Sequence, residues 1–288
     1  MTGASPRVLP VSAIVLTHNE EKNLPKCLDS IAGRVSEIIV VDSFSTDATL
    51  EVARKYTANI VQHAYEGHPQ QWHWTITNAA IANDWVFAID ADFVVTQGVW
   101  DELDKRLGDA GIHGFYVRHR EIFRGRPISF GGAYPNHWLR IFRKQRVRID
   151  LEERVDVHFF VDGRVEKIEF DVEEQNYKDD DIYFWIQKQN NFAKKHAAEE
   201  MDRKSRAVTS PVKTRFFGNP DERKLYLKQI WYRMPLYIRP FIYFFYRYFL
   251  RLGFLDGRAG FVYHFTQGFL YRLLVDINIE EIRRSKAG

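Results

Sequence analysis

Four short apolar runs, three of them followed by a helical pattern, constrain this chain more than any other feature. They are "SAIVLTH" (12–18), "SEIIVVDS" (36–43), "NIVQHAY" (59–65) and "DWVFAID" (84–90). Unbroken rather than alternating hydrophobicity marks strands buried on both faces. Between the runs, Leu24, Cys27, Leu28 and Ile31 recur at helical spacing. "STDATLEVARKYT" opens on Ser45 as an N-cap and offers Leu50, Val52 and Ala53 as an apolar face, and "QQWHWTITNAAI" reads as a further helix. Strands and helices alternating in this way imply a parallel sheet covered on both sides, whose ligands bind beyond the carboxyl ends of the strands.

The polar residues at those ends are therefore the candidates for chemistry. His18, Asn19 and Glu20 follow the first run, Asp42 ends the second, and Asp90 ends the fourth with Asp92 two residues on. Two carboxylates spaced Asp-X-Asp at a strand end suit a hard divalent cation, Mg²⁺ or Mn²⁺, shared with a phosphate. The plain reading of such a pair is a capped turn or surface ion pairs. Its place on the same rim as Asp42 favours the cation.

Beyond residue 112 the texture changes to strands of a mixed, more antiparallel region, reaching about 175. A charged helix is expected over 179–204, with Ile182, Trp185, Ile186 and Gln189 on one side. From about 222 onward the chain is rich in aromatics and arginine. The 288 residues suffice for one large α/β domain with an extension. The net charge of +3 gives no argument for nucleic acid, and the single cysteine, Cys27, excludes an internal disulfide or a cysteine zinc site. The N-terminal stretch does not read as a signal peptide, and no run reaches the roughly 18 apolar residues of a membrane span.

In order, "AIVLTHNEEKNLPKCLDSI", "EIIVVDSFSTDATLEVA" and "DWVFAIDADFVV" resemble family 2 glycosyltransferases of the GT-A fold. Within them the chain is similar to bacterial enzymes of lipopolysaccharide-core and exopolysaccharide assembly. The resemblance implies a Rossmann-like α/β nucleotide-diphospho-sugar transferase with a mixed sheet. Carried over by position, Thr17, Asn19, Glu20, Asp42, Ser43, Gln71 and Asp90 line the donor nucleotide pocket. Asp92 takes the cation, with Asp90 and His158 beside it, although a satisfied strand histidine is the plainer reading of His158. Ser45 and Asp47 read as caps. Arg140 and Arg143 can meet a phosphate, or else form a solvated strand face. An inverting transferase needs a carboxylate to take the acceptor proton, and the 152–156 stretch offers Glu153 first and Asp156 second.

The sequence also departs from the family pattern. Phe44 and Ala48 stand where glycines are usual, so the backbone there need not take positive φ. Trp72 and His73 replace a basic residue and an Asn, with Gln71 or His73 as weaker substitutes. Trp72 and Trp74 can equally be helix packing. Phe93 replaces a Glu after the Asp pair, and Val157 falls where the catalytic Glu is expected. Gly131 and Gly132 allow close backbone approach to a ligand.

The expected organisation is a catalytic domain over 1–215, with a nucleotide half at 8–110 and an acceptor half at 111–215, followed by an amphipathic helical extension over 216–288. In that extension Arg233, Arg239, Arg247, Arg251, Arg258 and Arg272 interrupt the aromatics. This scatter suits helices lying in a membrane interface through 230–277, with packing or an oligomer interface as the plainer alternative. The expected activity is inverting transfer of a sugar, from UDP first among nucleotides, to a hydroxyl of a lipid-linked saccharide at the cytoplasmic face of a bacterial inner membrane. Transfer to a polyprenyl phosphate and a non-catalytic nucleotide-sugar-binding membrane protein are the alternatives.

Overall fold

The computed structural model describes residues 7–151, 157–205, 217, 226–227 and 230–287. The chain divides into two compact units. The first comprises Met1–Pro127 and Pro135–Asp180, the second Ile128–Tyr134 and Asp181–Gly288.

The first unit is built on a nine-stranded mixed sheet. Strands β1 (Leu9–Thr17), β2 (Val35–Asp42), β3 (Ile60–Gln62) and β4 (Trp85–Asp90) are the four apolar runs, and they pair in parallel in the order β3-β2-β1-β4. Their side chains sort by period two. Ala13, Val15, Val40, Phe87 and Ile89 fall in one buried cluster, while Ile14, Ile39, Val41, Val86 and Ala88 fall in the other. Helices α1 (Leu24–Ile31) and, later, α4 (Gln97–Arg106) cover the first face through Leu24, Leu28, Trp100 and Leu103. Helix α3 (His68–Asn78) covers the second face through Trp72, while the short α2 (Thr49–Ala53) adds Ala53 to the first.

The sheet continues through β5 (Phe93–Val95), β6 (Ile112–Phe123), β8 (Asn136–Arg143) and β11 (Arg164–Glu174), in the order β4-β8-β6-β11-β5. The two-residue β7 (Arg126–Pro127) pairs with β6. Strands β9 (Val147–Ile149) and β10 (Phe159–Val161) form a separate antiparallel pair. Because β8 is antiparallel to both β4 and β6, and β11 is parallel to β6, the carboxyl ends of β1, β2, β4, β6 and β11 share one rim.

The second unit is helical. Helix α5 (Ile182–Ser205) buries Trp185, Gln189, Ala193 and Ala197. Ile182 and Ile186, expected on the same side as Trp185, are exposed. The i, i+4 row from Trp185 carries the small alanines that admit a close neighbour. After it come α6 (Arg239–Phe245), α7 (Gly257–Tyr263) and α8 (Tyr271–Ala287), with π-helical turns after α6 and α7. Ala193 and Ala197 pack with Tyr271, Val275 and Ile279 of α8. This places α5 with the C-terminal helices, ahead of the 215 boundary that the sequence texture suggests.

Three of the arginines in this unit turn inward. Arg239 is fully buried and donates to Glu200 at 2.9 Å and to Asp276 at 2.7 Å. Arg247 lies between the Tyr243 and Tyr263 rings, and Arg272 lies over Trp231 and Tyr271. The exposed side is left to Phe241, Phe245, Phe249, Leu250, Leu255 and Phe261. Gly131 and Gly132 both take positive φ. A Cβ on Gly131 would meet the His264 ring, so the close approach at Gly131 is to a protein side chain rather than the ligand expected.

Candidate active site on the sheet rim

Asp42 is wholly buried at the end of β2. Its Oδ1 accepts from Thr17 Oγ1 at 3.0 Å and from the Ser45 hydroxyl, and its Oδ2 accepts from Ser45 N at 2.9 Å and Gln62 Nε2 at 3.0 Å. Four bonds fill the acceptor capacity of a carboxylate, so Asp42 organises the loop that follows it. The β1 loop is tied to the same frame. Asn19 N donates to Ser45 Oγ at 2.8 Å, and Asn19 Oδ1 accepts from Thr46 N at 2.8 Å. Glu20 N donates to Thr49 Oγ1 at 2.7 Å, while its carboxylate takes Asn23 and Lys178. Ser45 thus braces Asp42 and Asn19, and Asp47 accepts from Thr49 N at 3.0 Å at the start of α2.

Phe44 corrects an expectation. It takes φ 56°, although it is not glycine, and its side chain is 56% exposed. A left-handed bulky residue costs roughly 1–2 kcal/mol. The hydrogen bonds around Asp42 and Asn19 hold the turn in that shape.

Gln71 is buried on α3, its Nε2 3.3 Å from Ser43 Oγ and its Oε1 2.9 Å from His63 Nδ1. His73 faces solvent, so of the two proposed substitutes only Gln71 reaches the pocket wall. Trp72 is core, edge-on to Phe159, and Trp74 stacks on His63.

Asp90 lies at the centre of the rim. Arg140 Nη2 stands 3.0 Å from its Oδ2, and His68 Nε2 stands 3.3 Å from its Oδ1. Burial alone would push the Asp90 carboxyl up. Arg140, His68 and His119 outweigh it and hold the group well below the usual carboxylate range. Arg140 itself is buried over the Phe93 and Trp138 rings, and its Nη1 has no hydrogen-bond partner among the described residues. Phe93, in the place of a Glu, thus forms part of the apolar seat of this guanidinium. Asp92 is half-buried, and its Oδ2 accepts from Asn176 Nδ2 at 3.0 Å.

On the far side of Arg140, His119 stacks on Trp138 with ring centres 3.7 Å apart, and its Nε2 lies 2.8 Å from Glu174 Oε2. His119, Glu121 and Glu174 bring their ligand atoms within 4.8 Å of one another. An imidazole with two carboxylates is a donor set that Mn²⁺ accepts well. Asp90, with a guanidinium on one oxygen and His68 near the other, is a poorer ligand than Asp92.

Arg143 does not reach the rim. It binds Asp84 and the Ile112 carbonyl at the opposite end of the sheet, its guanidinium over Trp85. His158 is half-buried just before β10 and is not a member of the His119 cluster. Glu153 and Asp156 lie outside the described residues. Sequence reasoning passed over His68, His119, Glu121, Glu174 and Asn176. His68 had one available signal, as the histidine that opens the same "HPQQWHW" helix.

This rim can be set beside known proteins. The model of the glycosyl transferase family 2 matches residues 12–165, more than half of the chain. A lipopolysaccharide core biosynthesis glycosyltransferase of Rhizobium meliloti is 28% identical over 163 residues, 54% of this chain and 59% of that protein. An uncharacterised glycosyltransferase of Rickettsia typhi is 32% identical over 138 residues, 47% of each chain. Glucosyl-3-phosphoglycerate synthase of Mycobacterium tuberculosis, solved with Mg²⁺ and UDP, is 26% identical over 38% of this chain and 43% of its own, with a TM-score of 0.33. The chain spans about half the length of the curated relatives it matches. With the matched segment running from the core of β1 into β11, across the strand ends that carry Asp42, Asp90 and Asp92, the chain belongs to glycosyl transferase family 2.

Proposed function

We propose that this chain is an inverting glycosyltransferase that takes a sugar from a nucleotide diphosphate, UDP first, and delivers it to a hydroxyl of a lipid-linked saccharide during cell-surface polysaccharide assembly. The observation that carries the reading is the Asp90–Arg140 pair at the end of β4, with Asp92 beside it and Arg140 Nη1 buried without a hydrogen-bond partner among the described residues. A desolvated guanidinium with an unused N–H is a strong donor for a diphosphate oxygen.

In this reading Thr17, Asn19, Glu20, Asp42, Ser43 and Gln71 shape the nucleoside pocket. Gln62 is the partner of Asp42 that a base N–H displaces. Asp92 and the His119–Glu121–Glu174 set are the residues that hold a divalent cation. Such a cation supplies charge neutralisation for the leaving diphosphate. Arg140 binds and orients the diphosphate, and Asp90 keeps that guanidinium in place. Glu153, with Asp156 second, is the proposed acceptor of the hydroxyl proton.

The acceptor class draws support from the second unit. Many of its Phe and Leu side chains are exposed, as are Arg233, Arg251 and Arg258. No described helix is long and apolar enough to cross a membrane. A surface that lies in the headgroup boundary on the cytoplasmic side of the inner membrane fits that composition.

Calorimetric titration with UDP, with and without Mn²⁺, on wild type and Asp92→Ala tests the site. Cation-dependent binding that disappears in Asp92→Ala is the expected result, and binding indifferent to both refutes the mechanism. Co-sedimentation with anionic phospholipid vesicles tests the surface, and Phe241→Ser with Phe245→Ser is expected to abolish it.

A further inference from the structure

Phe44 is held by its loop in a backbone conformation that its own side chain disfavours. Its backbone is left-handed at φ 56°, a shape that glycine and asparagine take freely and bulky residues do not. A strained residue usually recovers the cost in packing, but this side chain is 56% exposed. Its ring stacks on no other aromatic among the described residues.

The loop around it is tightly fixed. Asp42 takes both the N–H and the hydroxyl of Ser45, Asn19 bridges to Ser45 and Thr46, and His18 Nδ1 lies 2.9 Å from the Ser43 carbonyl oxygen. The ring is therefore presented outward at the carboxyl end of β2, directly after Ser43. Strain retained at an exposed position beside the proposed nucleotide site points to a role in the bound state.

We propose that the Phe44 ring is the platform on which the nucleobase of the donor lies face to face, making it a base-binding residue of the nucleotide site. The proposal rests on the reading of this rim as a nucleotide-sugar site. Every base has a π-face, so the platform favours a nucleotide over a bare phosphate without choosing among bases. Choice among bases falls to the polar edge formed by Asp42 and Gln62.

The test is calorimetric titration of wild type, Phe44→Asn and Phe44→Tyr in Mn²⁺ with UDP, GDP, ADP, CDP and inorganic pyrophosphate. Asparagine accepts the left-handed backbone, so Phe44→Asn is expected to melt at or above the wild-type temperature. Its affinity for the best nucleotide is expected to fall about 5- to 100-fold. Pyrophosphate affinity is expected to stay unchanged, and Phe44→Tyr to bind nucleotide like wild type. Nucleotide binding by Phe44→Asn equal to wild type overturns the platform and leaves the site reading standing. An equal loss of pyrophosphate binding overturns it too, since the loop rather than the ring then matters. A wild-type chain that binds none of the nucleotides overturns both readings.

Discussion

Arg140 Nη2 lies 3.0 Å from Asp90 Oδ2, and the Nη1 of the same guanidinium is buried with no hydrogen-bond partner among the described residues. One arm fixes the strand-end carboxylate while the other is available to an anion. Arg140→Lys keeps the charge and loses the fork. It is expected to lower kcat/KM for transfer about 100-fold while shifting the melting temperature by only a few degrees. Arg140→Ala removes the strongest partner of Asp90 and leaves it to His68, and about 2 kcal/mol of stability is expected to go with it. Steady-state transfer assays and denaturant melts on both variants measure the two effects. A fully active Arg140→Lys enzyme removes the phosphate role.

The two carboxylates of the Asp-X-Asp stretch are expected to separate in a cation titration. Asp90 is engaged by Arg140 and His68, so Asp90→Asn keeps most Mn²⁺ affinity, whereas Asp92→Asn loses at least about 10-fold. Glu174→Gln is expected to remove the contribution of the His119 cluster. Electron paramagnetic resonance of free Mn²⁺ reads all three without a turnover assay. Equal losses in Asp90→Asn and Asp92→Asn contradict this division.

Asp42 is a structural hub whatever it contacts in the ligand. Asp42→Asn turns an acceptor into a donor facing Ser45 or Gln62, and a loss of about 2–3 kcal/mol is expected from the buried groups left unsatisfied. Chemical denaturation checks it. A variant as stable as wild type shows that the loop does not depend on this carboxylate.

His264 sets an acid limit on the second unit. The ring is fully buried, and among the described residues neither nitrogen has a hydrogen-bond partner, the Asp256 carboxylate standing 3.9 Å from Nε2. Burial first, and then the Arg247 charge, pull its pKa down to about 4. The unfolded chain takes up this proton near pH 6.5 and the folded one only near 4. Stability from this group is therefore complete above about pH 6.5 and falls as the pH drops towards 4, by up to about 3 kcal/mol. Melting temperatures from pH 8 to 4 are expected to decline less steeply in His264→Phe. An unchanged slope places the acid sensitivity elsewhere.

The sheet and the Asp42–Asp90–Asp92 rim are readable in the sequence because buried parallel strands leave continuous apolar runs that stop at the residues on the ligand side. The His119 cluster is not readable in that way. His119, Trp138 and Glu174 meet only through the pairing of β6 with β8 and β11, and no local pattern records that register. The buried side of α5 keeps Trp185 and Gln189 but not the apolar Ile182 and Ile186, because the contact with α8 is made by small alanines that hydrophobicity alone underrates. In sequence the arginines of the last helices suit a membrane interface, whereas Glu200, Asp276 and the rings of Trp231, Tyr243 and Tyr271 are the contacts that Arg239 and Arg272 make in the fold. Phe44 shows the converse. Its position in the loop was visible, but its strain is a backbone property that only the folded chain reveals.

The Asp256 carboxylate accepts the backbone N–H groups of Ser129 and Phe130, more than a hundred residues earlier in the chain. On the ribosome those two donors emerge long before their acceptor does. The helical unit therefore cannot close while its own last third is still being made, and a chain truncated ahead of Asp256 loses the anchor of the 128–134 turn along with the helices it lacks. Long-range closure of this kind is slow. A single cut at residue 180 accordingly yields no clean fragment, because a piece of the second unit is threaded into the first half of the gene.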